Sequence, residues 1–214
     1  MVEQYYRLCL VTDHALARGR SLAEIVAAAV KGGVTMIQLR EKAAPTRAFI
    51  EEARTLKRLL APLGVPLLVN DRIDVALAAG ADGAHVGQHD MPVALARRLL
   101  GPAAIIGLSI TELDEVRGAD VELADYLGVG PIFAQSTKLD ATPPLGLEGL
   151  AAVRRATRKR IMAIGGVSAA NASAVRSAGA DGIAVVSAIM GAEDPLAAAR
   201  ALASAADFRR LKTG

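Results

Sequence analysis

The sequence predicts an α/β protein folded as a single (β/α)8 barrel, the TIM-barrel architecture, with residues 1–214 as one domain. Three observations carry that prediction: eight short apolar runs, helix-like sequence after each, and a Gly-Ala-Asp-Gly turn that occurs at 80–83 and again at 179–182. Strands that alternate with helices pair in parallel, and parallel strands buried on both faces read as unbroken apolar runs. Closure into a ring follows from the count. The same alternation could build an open doubly wound sheet, but that architecture rarely uses so many regular units.

The first run spans Arg7 to Asp13, and Ser21-Leu22-Ala23-Glu24 then supplies a capping box for an Ala-rich helix that Gly32-Gly33 ends. Further runs follow near Val34 to Leu39, Val65 to Val69, Ala84 to Val86, Ala104 to Leu108, Tyr126 to Val129, Ile161 to Ile164 and Ile183 to Val186. Pro66 stands at the start of its run, where a missing N–H is tolerated in a sheet. The repeated turn precedes the fourth and eighth strands, as expected if similar turns enter strands on opposite sides of one ring. Its plainer explanation is that Gly permits positive φ and Asp bonds its own backbone. The longest irregular stretch, Pro131 to Gly146, is long for a compact barrel and is expected to be a working loop.

Hydrophobic residues make up 52% of the chain and charged residues 22%, enough for a core and against disorder. Aromatics are 3% and Trp is lacking, which argues against stacking platforms for nucleic acid. A net charge of +3 without a long Lys/Arg run suits a small anionic substrate better than a nucleic-acid partner. Cys9, the single cysteine, excludes an intramolecular disulfide and a multi-cysteine metal site, and its apolar neighbours predict a buried thiol. The opening Met-Val-Glu-Gln-Tyr-Tyr lacks signal-peptide features, and no apolar run approaches a membrane span. The expected location is cytoplasmic, with no membrane partner.

Barrel active sites lie at the C-terminal strand ends. The second strand ends in Gln38-Leu39-Arg40-Glu41-Lys42, where alternation places Gln38, Arg40 and Lys42 on one side as a grip for a diphosphate. The plainer alternative is a solvated strand end with a Glu41–Lys42 pair. Asn70 and Asp71 end the third strand, and Gln88 and Asp90 follow the fourth, so Asp71 and Asp90 form a candidate Mg²⁺ pair. Alternatively, Asp71 caps the helix beginning Arg72-Ile73-Asp74, and Asp90 caps one at Pro92. His85 reads as a hydrogen-bonded core or supporting residue, and His14 and His89 have no assigned role.

Ser109 ends Gly107-Leu108-Ser109, and the stretch Gly128 to Lys138 can wrap a second anion, with Lys138 neutralising charge. Ordinary turn chemistry would also explain both stretches. Neither Ser109 nor Thr137 has a triad pattern around it, so both read as binders. Gly165-Gly166-Val167-Ser168, with Ser168 or Asn171 as a helix cap, and Val186-Ser187 form a phosphate-binding arrangement of the kind that recurs after strands seven and eight.

Taken in order, residues 38–42, 70–71, 82–90, 107–109, 128–138, 164–167 and 182–189 resemble the thiamine-phosphate synthase (thiamine-phosphate pyrophosphorylase) family over nearly the whole chain. The resemblance implies a Mg²⁺-dependent transferase that couples a pyrimidine diphosphate to a thiazole phosphate and releases pyrophosphate. It implies that Gln38, Arg40, Lys42 and Asn70 hold the diphosphate, that Asp71 and Asp90 bind Mg²⁺, and that Ser109 and Lys138 line the reacting pocket. Arg40, Lys42, Ser109 and Lys138 would then stand nearest the chemistry, while Gln135, Ser136, Thr137, Gly166, Val186 and Ser187 hold the thiazole phosphate. A homodimer is expected on the same ground. One departure is Ala134-Gln135-Ser136-Thr137-Lys138, where the family commonly has Pro-Thr-x-Thr-Lys, so an amide replaces a hydroxyl.

Three other readings compete. A thiazole tautomerase-like relative would keep the phosphate loops and lose the diphosphate grip, and it would tend to carry a histidine near Thr111. Another phosphate-binding barrel, such as a sugar-phosphate epimerase, would lack a two-anion site. The third is a binding module without catalysis.

Overall fold

The computed structural model describes residues 2–134 and 143–206. Eight parallel strands close into a barrel in chain order: β1 (Leu8–Val11), β2 (Met36–Leu39), β3 (Leu67–Asn70), β4 (Gly83–Val86), β5 (Ile105–Ile110), β6 (Tyr126–Val129), β7 (Arg160–Ile164) and β8 (Gly182–Val185). Their ends fall within two residues of the apolar runs read from the sequence. Helices α1 (His14–Ala17), α2 (Leu22–Gly32), α3 (Thr46–Leu60), α4 (Ile73–Ala79), α5 (Val93–Leu100), α6 (Ala119–Leu123), α7 (Gly146–Ala156), α8 (Ala172–Ser177), α9 (Ser187–Met190) and α10 (Pro195–Ala206) cover the ring. Ser21 caps α2 as expected, its hydroxyl accepting from the Glu24 N–H at 3.4 Å.

Strand alternation divides the apolar residues into two cores. Leu8 and Leu10, Ile37 and Leu39, and Leu67 and Val69 face the helices. Cys9, Met36, Leu68, Tyr126 and Met162 fill the barrel interior, where Tyr6 packs against Tyr126 with ring centroids 5.5 Å apart. This inner filling closes the N-terminal floor, so the polar residues one step further along each strand, Gln38, Asn70 and Ser109, open on the mouth. Cys9 is buried as expected, and burial pushes its thiol up to about 12, so it stays protonated.

The repeated turn has a different cause from local turn chemistry. Gly80 and Gly179 do adopt positive φ, at 65° and 110°. The aspartates, however, bond across to the preceding strand. Asp82 accepts from Leu67 N and ion-pairs with Lys57, and Asp181 accepts from Ile161 N and ion-pairs with Arg154. Asp125 repeats the device between β5 and β6, accepting from Ile106 N and pairing with Arg97. Gly83 and Gly182 are required for a separate reason, since a Cβ on either would run into the backbone of the neighbouring chain segment, Ile105 and Tyr6 respectively.

Candidate active site

One cavity of about 320 Å³ opens at the C-terminal mouth of the barrel. Gln38, Arg40, Asn70 and Ser109 line one part of it, and Gly166, Val186 and Ser187 another. Residues from β2, β3 and β5 thus share a chamber with the loops after β7 and β8, as the sequence reading expects.

On the first side, Gln38 Nε2 donates to Asn70 Oδ1 at 2.7 Å, which leaves Gln38 Oε1 as an acceptor and Asn70 Nδ2 as a donor for a ligand. The strand stops at Leu39, so alternation does not extend through Lys42 as the sequence reading assumed. Arg40 is held separately: its N–H donates to Thr12 Oγ1 at 3.0 Å, and its guanidinium lies 3.6 Å from Asp13. Arg40 lines the cavity and Lys42 does not, although the charge of Lys42 reaches Asp71. Glu41 departs from the expected Glu41–Lys42 pair. Its Oε1 accepts from Ala43 N and Ala44 N at 2.6 and 3.0 Å, and its Oε2 lies 3.2 Å from His14 Nε2.

Asp71 and Asp90 meet, as the sequence reading expects, and neither is a helix cap. The residues at the caps of α4 and α5 are Arg72 and Pro92, without side-chain cap bonds. Asp71 takes a left-handed conformation, φ 61°, that non-glycine residues seldom adopt. Loss of hydration, then the hydrogen-bonded Asp90 carboxyl and its charge, push Asp71 up to about 6 against the pull of Arg40 and Lys42. Asp90 is anchored by accepting from Gly87 N at 2.7 Å. Neither aspartate lines the cavity itself, but the Asp71 carboxyl feels both Asp90 and the cavity-lining Arg40. Two neighbouring carboxyl groups are a donor set that fits Mg²⁺, which takes a few carboxylates and fills its sphere with water and phosphate oxygens.

On the opposite side, Gly165 and Gly166 have φ of 99° and 67°, and a Cβ on Gly166 would stand 2.7 Å from Phe133 Cβ. Only glycine lets the two loops approach so closely. Asn171 does not cap α8 with its side chain. Instead it clasps the loop, accepting from Ser168 N at 2.8 Å and donating to Gly166 O at 3.0 Å. Gln135, Ser136, Thr137 and Lys138 lie outside the described residues.

The thiamine monophosphate synthase family model matches residues 8–189, which takes in all eight strands and both sides of the cavity. The chain belongs to the thiamine-phosphate synthase family. It is 59% identical over 197 residues to the thiamine-phosphate synthase of Albidiferax ferrireducens, covering 92% of this chain and 90% of that one. Against the thiamine-phosphate synthase of Chloroflexus aurantiacus the identity is 57% over 197 residues, covering 92% and 91%. The solved structure of a thiamine phosphate pyrophosphorylase from Pyrococcus furiosus superposes with a TM-score of 0.87 at 39% identity, covering 97% of this chain and 98% of that one. A 3-hexulose-6-phosphate synthase at 22% identity and a TM-score of 0.68 shares the fold. As a thiamine-phosphate synthase family member the protein is an enzyme of the transferase class. Among the described residues no helix is long and apolar enough to cross a membrane.

Two features of this family member escape the sequence reading, and a third is foreseen there only in outline. His14, given no role there, bridges Glu41 and Glu52, with Nε2 2.9 Å from Glu52 Oε2, and so ties the loop carrying Arg40 to α3. Burial alone would raise the Glu41 carboxyl, but the Ala43 and Ala44 N–H groups and His14 outweigh it and hold that carboxyl low. Arg20 donates to the carbonyls of Ala17, Met190 and Ala192, fastening the C-terminal end of α9, the helix that begins at Ser187. His85 is the third. It is buried, as expected of a supporting residue, and burial lowers it to about 4, so the imidazole is neutral near pH 7. Its two nitrogens contact Tyr126 and Ser109. The strand glycines Gly107 and Gly128 were a legible signal for this packing, since glycine inside a strand marks a close approach.

Proposed function

We propose that the protein condenses 4-amino-2-methyl-5-pyrimidinylmethyl diphosphate with 4-methyl-5-(2-phosphoethyl)thiazole to give thiamine phosphate and pyrophosphate, with Mg²⁺ as cofactor. What carries this reading is the single cavity that joins Gln38, Arg40, Asn70 and Ser109 to Gly166 and Ser187. Two anions need two cradles, and a reaction between their bearers needs both cradles in one chamber.

In this reading the diphosphate lies on Gln38, Arg40, Lys42 and Asn70, with Asp71 and Asp90 holding Mg²⁺. Bound there, Mg²⁺ would offset negative charge on the diphosphate oxygens. The bond from the pyrimidine methylene carbon to the diphosphate oxygen breaks, and its electron pair leaves with pyrophosphate. The ring amino group spreads the positive charge left on the carbon, and the thiazole nitrogen supplies the pair that forms the new carbon–nitrogen bond. No proton transfer is needed at the reacting atoms, which agrees with a site built from binders. Arg40, Lys42, Ser109 and Lys138 act by stabilising the departing anion. Gln135, Ser136 and Thr137, with Gly166, Val186 and Ser187, hold the thiazole phosphate.

The tautomerase-like alternative is disfavoured at Thr111, whose hydroxyl is engaged by Glu115 at 3.2 Å and offers no imidazole for proton transfer. Incubating the protein with both substrates and Mg²⁺, then oxidising the product to its fluorescent thiochrome, tests the reading. Formation of thiamine phosphate that needs both substrates supports it, and absence of that product in a folded preparation refutes it. A small soluble homodimer of cytoplasmic location is the form we propose for the working enzyme.

A further inference from the structure

His85 stands between two hydroxyl groups, with Nδ1 2.9 Å from Tyr126 Oη and Nε2 2.9 Å from Ser109 Oγ. Two strands have been cleared to make room for it. A Cβ on Gly107 would overlap His85 Nδ1 and the Tyr126 ring, and a Cβ on Gly128 would lie 2.7 Å from His85 Cε1. Glycine weakens a strand, so a pair of them facing one imidazole marks a place where this packing matters more than strand propensity.

The hydrogen bonds can be assigned by asking where each proton goes. Tyr126 is 2% exposed, and among the described residues His85 Nδ1 is the recorded partner of its hydroxyl. A buried O–H left without an acceptor costs the desolvation of that group, so Tyr126 donates and Nδ1 accepts. A neutral imidazole has one donor and one acceptor, which places the proton on Nε2 and makes Ser109 Oγ its acceptor. The single proton of Ser109 then has no place on the imidazole and is directed into the cavity that Ser109 lines.

We propose that Tyr126 and His85 are positioning residues that set the imidazole tautomer and thereby hold Ser109 as a hydrogen-bond donor to an anionic oxygen of the diphosphate. With the opposite tautomer, Ser109 would donate to His85 and turn lone pairs toward the anion. The inference rests on the reading of Ser109 as part of the diphosphate site, and the test separates the two.

Long-range proton–nitrogen NMR on ¹⁵N-labelled protein reads the tautomer directly. The chain has three histidines, and the His85 signals are those lost in His85→Gln. The expected result is the Nε2-protonated form in the wild type and loss of that preference in Tyr126→Phe. An Nδ1-protonated His85 in the wild type overturns the proposal.

A kinetic cycle tests the consequence. Tyr126→Phe is expected to lower kcat/KM roughly tenfold, and to have almost no further effect in a Ser109→Ala background. Equal losses in both backgrounds would mean that Tyr126 acts only through general packing, and would sink the relay. If the tautomer is as expected but Ser109→Ala leaves kcat/KM unchanged, the placement of Ser109 on the diphosphate is what fails. Should Tyr126→Phe not fold, His85→Gln takes its place in the cycle with the same expected non-additivity.

Discussion

Asp82 and Asp181 do the same work on opposite sides of the barrel floor, each accepting an N–H from the neighbouring earlier strand and pairing with a cation from the outer helix that leads into that strand. Asp181→Ala would leave Ile161 N and Arg154 without this partner. The expected cost is about 1–3 kcal/mol of stability, which for a chain of this length is a fall of several degrees in Tm. Because the floor is remote from the mouth, kcat/KM should stay within about twofold of wild type. Calorimetry and steady-state assays check both, and an unchanged Tm would deny the aspartate this role.

His14→Ala should slacken the loop after β2. The His14–Glu41–Glu52 contact is partly exposed, so stability should change by less than about 1 kcal/mol. The KM for the pyrimidine diphosphate should rise several-fold because Arg40 shares that loop, while the KM for the thiazole phosphate holds. Equal changes in both KM values would contradict a local effect.

Arg20→Ala should act on the other cradle. It removes the donors to Met190 and Ala192 and frees the end of α9, so the thiazole-phosphate KM is expected to rise roughly tenfold. The diphosphate KM should not follow it. Substrate titrations with each partner saturating separate the two.

The pH dependence of stability carries a signature of His85. In the unfolded chain the ring takes a proton near its ordinary 6.5, whereas the folded ring waits until about 4. The unfolded state therefore binds more protons across that window, and stability falls as pH drops through it, by up to about 3 kcal/mol. Asp71, raised to about 6, runs the opposite way in the metal-free protein, so the wild-type curve alone does not isolate the histidine. The difference between wild type and His85→Gln does: urea unfolding at pH 6.5 and 4.5 should show a shallower acid loss in the variant. Parallel curves would contradict a buried neutral imidazole.

Much of this was legible in the chain because barrel strands are short, apolar and contiguous, and because the mouth residues sit in the last residues of each strand or in the loop just after it. Gln38, Asn70, Ser109 and the Asp71–Asp90 pair were all placed that way. The repeated turn is legible as a sign of the ring, entering β4 and β8, but the bonds of its aspartates are not, since their partners Leu67 and Ile161 lie one strand earlier. The His14–Glu41–Glu52 bridge, the Arg20 clasp and the Tyr126–His85 contact join residues distant in sequence, and no local pattern announces such pairs. Lys42 shows the limit of periodicity: the alternation that orients Gln38 ends where the strand ends, at Leu39.

Pyrophosphate release measured against Mg²⁺ concentration, with both substrates saturating, tests the central claim most directly. The account predicts release by the wild type that requires both substrates and the metal, and a half-maximal Mg²⁺ concentration raised about tenfold or more in Asp71→Asn with Asp90→Asn. Release without the thiazole phosphate, or the same Mg²⁺ curve in the double variant, would contradict it.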